Sequence, residues 1–130
     1  MSRPRVLSVG QCAFDHSRIK RHLTQVLGVD VEEGTTAAEA LATLRDTPFD
    51  LVLVNRVGDA DGSPGADLIR SLKADPQLAA LPVMLVSNYP DAQAEAIGLG
   101  ALPGFGKADL TSPKTSEMLR AALAIQPSSQ

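Results

Sequence analysis

Asn55 ends a run of four apolar residues, Leu51 to Val54, and opens the loop NRVGDADG. A carboxamide in that place can donate and accept hydrogen bonds. Its nitrogen lone pair is delocalised and it carries no negative charge, so it is not a competent nucleophile. Asp59-Ala60-Asp61-Gly62 resembles a fragment of a calcium loop, but the remaining ligand positions and the distal Glu are missing. It reads as a solvated turn. His16 and His22 are too far apart for one helical face and have no further metal-like partners, so both are expected to be exposed and no metal is expected. Cys12 is the one cysteine. It excludes an internal disulfide and fits a reducing cytoplasm.

The elements that must position these groups follow from apolar patterning. Val6 to Val9 reads as a first strand, and Ile19, Leu23, Val26 and Leu27 recur behind it at helical spacing. Val29-Asp30-Val31 alternates as a short edge strand. Thr36 and Glu39 have capping-box spacing ahead of the stripe Ala37, Ala40, Leu41 and Leu44, which ends before Pro48. Leu51 to Val54 is continuous, as a central parallel strand covered on both faces requires. Ser63-Pro64 offers an N-cap with Pro at the first helical position. Leu68, Ile69 and Leu72 turn that helix inward, and Asp75-Pro76 closes it. Val83 to Val86 is another buried strand, and Pro90 to Leu99 an alanine-rich helix. Leu102 to Lys107 must hold a fifth strand despite Pro103, Gly104 and Gly106. Ser112-Pro113 repeats the capping device before a helix that faces Met118, Leu119, Ala122 and Ile125 inward. Residues 4–125 make one domain, and 126–130 a frayed polar tail.

With 130 residues, 44% hydrophobic and 21% charged, the chain can bury a real core. Aromatics make up 3% and there is no Trp, so that core must be Leu, Val, Ile and Ala. A net charge of −3 gives no reason to expect nucleic acid. No run approaches the roughly 18 apolar residues of a membrane span, and Val6 to Val9 is too short for a signal peptide. A cytoplasmic location is therefore expected. Strand and helix alternating five times predict an α/β fold, an open parallel sheet with helices on both faces. Such sheets bind ligands beyond the carboxyl ends of their strands. That edge collects Gly10-Gln11-Cys12, Asn55-Arg56, Ser87-Asn88 and Lys107.

The stretches FDLVLVN, GADLIRSLKADPQLAALPVMLVS and GALPGFGK, in this order and spacing, resemble the receiver domain of bacterial two-component response regulators across nearly the whole chain. The resemblance implies a doubly wound, flavodoxin-like five-stranded sheet of order 2-1-3-4-5. It implies an aspartate nucleophile ending the third strand, an acidic pair after the first strand that holds Mg²⁺, and a Ser or Thr and a Lys that hold phosphoryl oxygens. Ser87 and Lys107 match. Asn55 stands at the nucleophile, and Gly10 and Gln11 at the acidic pair. Without those carboxylates nothing concentrates charge for a divalent cation, and phosphoryl transfer depends on that cation and on positioning. No Mg²⁺, no other cofactor and no phosphorylation at this site are expected. The switch aromatic of the resemblance falls at Gly104, with Phe105 one place later, and the loop from Asn55 to Gly65 is about two residues longer than the family pattern.

The expected protein is a stand-alone pseudo-receiver, not an enzyme, working as a phosphorylation-independent protein-interaction module. Its partner is a protein bound in trans or a second copy. By analogy the partner surface is the face of the fourth helix, fifth strand and fifth helix, with Tyr89, Leu99, Leu102 and Phe105 as candidates. Asn55 is expected to make structural hydrogen bonds. Lys107, lacking its usual partners, is expected to pair with Asp59 or Asp61 or to reach solvent; alternatively it holds an anion with Ser87, in a receiver fold switched by an anion or small ligand. A rival reading takes CAFDHSR, whose Cys12 and Arg18 have the Cys-x5-Arg spacing of cysteine-dependent phosphatases. That needs a loop bent around the anion, yet Phe14, Asp15 and His16 fill it and Asp15 would repel phosphate. Asp15-His16 also lacks the Asp-x-His-x-x-Gly spacing of cobalamin-binding domains. Arg18, Lys20, Arg21 and His22 give the first helix a basic outer side, read as a solvated face.

Overall fold

Leu51, Val52, Leu53 and Val54 are each no more than 2% exposed, and the molecule is built outward from them. A computed structural model describes residues 3–124. The strands are β1 (Arg5–Val9), β2 (Asp30–Gly34), β3 (Leu51–Asn55), β4 (Val83–Val86) and β5 (Leu102–Phe105). The helices are α1 (Ala13–Leu27), α2 (Ala37–Asp46), α3 (Gly65–Ala74), α4 (Pro90–Gly98) and α5 (Pro113–Leu123), with a 3₁₀ turn at Lys107–Asp109. All strand pairs are parallel, in the order β2-β1-β3-β4-β5. The parallel sheet expected from the alternation of elements forms, in the doubly wound order that the receiver resemblance implies.

Side chains of successive strand residues point to opposite faces, so one sheet feeds two cores. Leu7, Val9, Val52, Val54 and Leu85 pack with Ala40 of α2, Leu68, Ile69 and Leu72 of α3, and Ala96 of α4. Val6, Leu51, Leu53, Met84 and Val86 pack with Ile19 and Leu23 of α1 and Leu119 and Leu123 of α5. Burying each such Leu, Ile or Val contributes about 1.5–3 kcal/mol.

Local signals fix the helix ends. Thr36 Oγ1 accepts from Glu39 N–H, while Glu39 reaches back to Thr35 N–H and hydroxyl, one residue earlier than a strict capping box. Ser112 caps α5 by accepting from Lys114 N–H, with Pro113 behind it. At α3 the expected cap is displaced: Pro64 holds the cap position, and the Ser63 hydroxyl donates to Asp61. In α1 the inward stripe is Ile19, Leu23 and Leu27, and Val26 is 41% exposed. His16 and His22 are half-buried, not exposed as expected. Ile125 and the expected tail at 126–130 lie outside the described residues.

The fifth strand forms with a defect that its sequence explains. Met84 pairs with Leu102 and Val86 with Phe105, so β5 carries one residue more than β4 between these pairs. Pro103 has no N–H to give to a ladder, and the extra residue makes a bulge. Gln93 of α4 fills the gap. Its amide donates to Leu85 O at 2.9 Å and Ser87 O at 3.1 Å, and accepts from Gly104 N–H at 3.0 Å.

Candidate functional site

Asn55 lies half-buried at the carboxyl end of β3, between β1 and β4. Its Nδ2 donates to Gly10 O at 3.1 Å and to Val57 O at 2.7 Å. Both amide hydrogens are committed to backbone carbonyls. Gly10, at φ +79°, aims its carbonyl at the site and also accepts from Asp59 N–H at 2.9 Å. The loop after β3 therefore folds back over the end of β1. It is closed on itself by Gly58 N–H to Ser63 O and by Asp61, which accepts from Ser63 N–H and hydroxyl. Those two donors hold the Asp61 carboxyl below the usual carboxylate value. The turn reading of Asp59–Gly62 thus describes what forms. A side chain at position 10 would put its Cβ 3.2 Å from Gly58 Cα, on a left-handed backbone. The loop stands where an acidic side chain after β1 would have to go.

Gln11 is 5% exposed, and neither its Oε1 nor its Nε2 has a partner among the described residues. It offers at most a neutral carbonyl oxygen. Mg²⁺ dehydrates reluctantly and takes carboxylate ligands. The donors here are two neutral amides and a carbonyl oxygen already bonded twice, so these residues do not fit the cation. Among the described residues no three His, Cys, Asp or Glu side chains gather as a metal site.

Lys107 is not paired with Asp59 or Asp61. Its Nζ lies 2.7 Å from Asp15 Oδ2, in the first turn of α1, with side chains 31% and 17% exposed. The hydrogen bond from Lys107 holds the Asp15 carboxyl below its ordinary value, outweighing the opposing effect of burial. Cys12 caps α1, its Sγ accepting from Asp15 N–H at 3.5 Å. Asp15, expected to repel an anion in the phosphatase reading, is the carboxylate that Lys107 faces. A helix beginning at Ala13 also removes the anion-wrapping loop the phosphatase reading needs, since Asp15 N–H and His16 N–H bond to Cys12 and Arg18 lies 5.9 Å over the Phe14 ring.

Ser87 is 7% exposed, and its Oγ accepts from Tyr89 N–H at 3.1 Å. With Asn55, Asn88 and Lys107 it lines a cleft of about 200 Å³. Arg56 and Tyr89 close one side, the guanidinium 4.9 Å from the ring centroid. An anion held there by Lys107 would have to displace Asp15.

No protein-family model matches this sequence, and no curated protein does. Solved structures do match. A response regulator receiver protein from Pseudomonas putida superposes with a TM-score of 0.78 at 23% identity, over 93% of this chain and 98% of that one. A response regulator from Thermotoga maritima gives 0.75 at 22%, over 94% and 98%. NtrX from Brucella abortus gives 0.75 at 22%, over 95% of this chain but 27% of that longer one. The chain has the receiver fold. The likeness at these identities extends to architecture and to where the strand ends converge.

Within the receiver fold, Gly10 and Gln11 after β1, Asn55 at the end of β3, Ser87 after β4 and Lys107 after β5 lie along one edge of the sheet. The structure does not assemble the expected partner surface. Phe105 is 4% exposed and belongs to the α1/α5 core, and Leu99 is half-buried against the other core. Phe105 is drawn in because it follows the bulge and pairs with Val86. Tyr89 and Leu102, 60% and 39% exposed, do face outward. Two residues that shape the site went unread in the sequence. Asp15 had a signal: an acid in the first turn of the helix after β1 sits at the carboxyl edge of the sheet. Gln93 had none, because its partners come from two strands that only the fold brings beside α4. Among the described residues no helix is long and apolar enough to cross a membrane.

Proposed function

We propose that this chain is a pseudo-receiver, a receiver-fold domain that takes no phosphoryl group at Asn55 and acts by binding a protein partner rather than by catalysis. One observation carries the reading. The side chain at the phosphoacceptor position uses both amide hydrogens to tie β3 to Gly10 and Val57, and has no anionic oxygen to attack phosphorus. The Asp15–Lys107 pair supports it, because the lysine that would steady a phosphoryl oxygen already has an internal carboxylate. Such a domain would signal from the cytoplasm through a surface indifferent to phosphodonors.

Incubation with acetyl phosphate and Mg²⁺ tests this by intact mass. The mass is expected to stay unchanged in the wild type and in Asn55→Asp, since Gly10 and Gln11 still provide no carboxylate for the metal. Gain of one phosphoryl group by the wild type contradicts the pseudo-receiver reading. Efficient labelling of Asn55→Asp alone contradicts its account of the metal site.

A further inference from the structure

A groove of about 680 Å³ runs between α3 and α4, outside the cleft at Ser87 and Lys107. Leu85, Ala92 and Ala96 line it from the β4 and α4 side, and Ala66 from α3. Leu85 and Ala96 are buried at its floor, and the half-buried Ala66 and Ala92 leave room for an incoming segment to come close. Val57 and Tyr89, 38% and 60% exposed, stand at its mouth. Two of the large apolar side chains that stay exposed thus border this groove.

The rim is acidic. Asp91 and Glu95 both line the groove and, four residues apart on α4, share one helix face. Asp91 makes no ion pair among the described residues. Glu95 lies 3.9 Å from Arg70, whose hydrogen bond goes instead to Asp67 at 2.8 Å. The one cation lining the groove, Arg56, is laid over the Tyr89 ring at its mouth. The groove is bounded by helices and not by a sheet edge, so an added strand finds no free ladder. A helix laid in the groove buries an apolar stripe on the alanines and brings cations to the two carboxylates.

We propose that the α3–α4 groove docks an amphipathic helix of a partner protein, one with Lys or Arg flanking its apolar stripe. This rests on the reading of the chain as an interaction module and names its surface.

The probe is a synthetic helical peptide of Leu and Lys, titrated into the isotope-labelled chain and followed by amide NMR shifts. Saturable shifts are expected at Ala66, Tyr89, Ala92 and Glu95. The Asp91→Asn, Glu95→Lys double variant, both positions exposed, is expected to keep its spectrum and bind about tenfold or more weakly. It should then prefer a peptide with Glu in place of Lys. Shifts centred on α1, α5 or Leu102, equal affinity in the double variant, or no groove shifts at millimolar peptide would overturn the proposal. Groove shifts that grow with protein concentration alone would also overturn it, in favour of a second copy as occupant. An unchanged mass with acetyl phosphate alongside any of these failures loses the groove and keeps the pseudo-receiver; phosphoryl uptake does the reverse.

Discussion

Asn55, a neutral donor, and Asp15, an anion paired with Lys107, hold the edge of the sheet in opposite ways, and each makes a separate prediction. Asn55 faces two carbonyl oxygens, Gly10 O and Val57 O, as a donor. Asn55→Asp replaces that donor with an anion pointed at the same two oxygens, so it should cost about 1–3 kcal/mol at pH 7, read from urea midpoints. The new carboxyl is favoured in its protonated form by the fold, so the deficit against wild type should shrink as the pH falls from 7 to 5. A constant deficit would mean the side chain turns out to solvent. Asp15 works with the opposite sign. Its folded value is depressed, chiefly by Lys107 with help from Cys12 and Arg18. The stability it contributes is full above the ordinary carboxylate value, near pH 4, and is lost as pH falls through its lower folded value. Asp15→Asn should cost about 1 kcal/mol at pH 7, and the difference should close in strongly acidic solution. That Gly10, Gln11 and Asn55 fall at strand ends was readable in the sequence, from the apolar runs that precede them. The Asp15–Lys107 pair was only half readable: an acid soon after β1 falls at this edge, but its partner depends on α1 starting at Ala13, which turns its third residue toward Lys107.

At the scale of elements, apolar patterning is a reliable guide where a strand is buried on both faces, and a poor one at the edge. The runs Leu51–Val54 and Val83–Val86 suit central strands, since a strand covered on one face alone would expose every second apolar side chain, and all eight are buried. In β5, proline and glycine remove both the ladder donor and the side chains that would reveal alternation. What completes that strand comes from α4. Gln93 makes three hydrogen bonds to β4 and β5, and Gly104 leaves the room for it: a Cβ there would meet Leu85 O and, at 3.0 Å, Gln93 Oε1. The position where the receiver resemblance places a mobile aromatic is thus filled by a fixed amide from the neighbouring helix. Gln93→Ala should cost about 1–3 kcal/mol by leaving Leu85 O and Gly104 N–H without this partner. Hydrogen exchange at the Gly104 amide should accelerate more than at Val52 or Leu53. Unchanged protection at Gly104 would show that β4 and β5 close without the bracket.

For the molecule as a whole, the fold was legible because five alternations of strand and helix admit few right-handed arrangements, and the two-core division follows from strand alternation. The placement of exposed apolar surface was not legible. A one-residue bulge sends Phe105 inward, and the same chain leaves Tyr89 and Val57 open beside the α3–α4 groove. Charge follows a similar logic. At the edge of the sheet the Asp15–Lys107 ion pair lies beside the neutral amides of Gln11 and Asn55, with Arg56 stacked on Tyr89. Titration of the wild-type chain with Mg²⁺ and beryllofluoride, followed through backbone amide shifts, tests that assignment most directly. The account predicts that Gly10, Asn55, Ser87 and Lys107 stay unmoved at millimolar Mg²⁺. Saturable shifts confined to those four residues would contradict it.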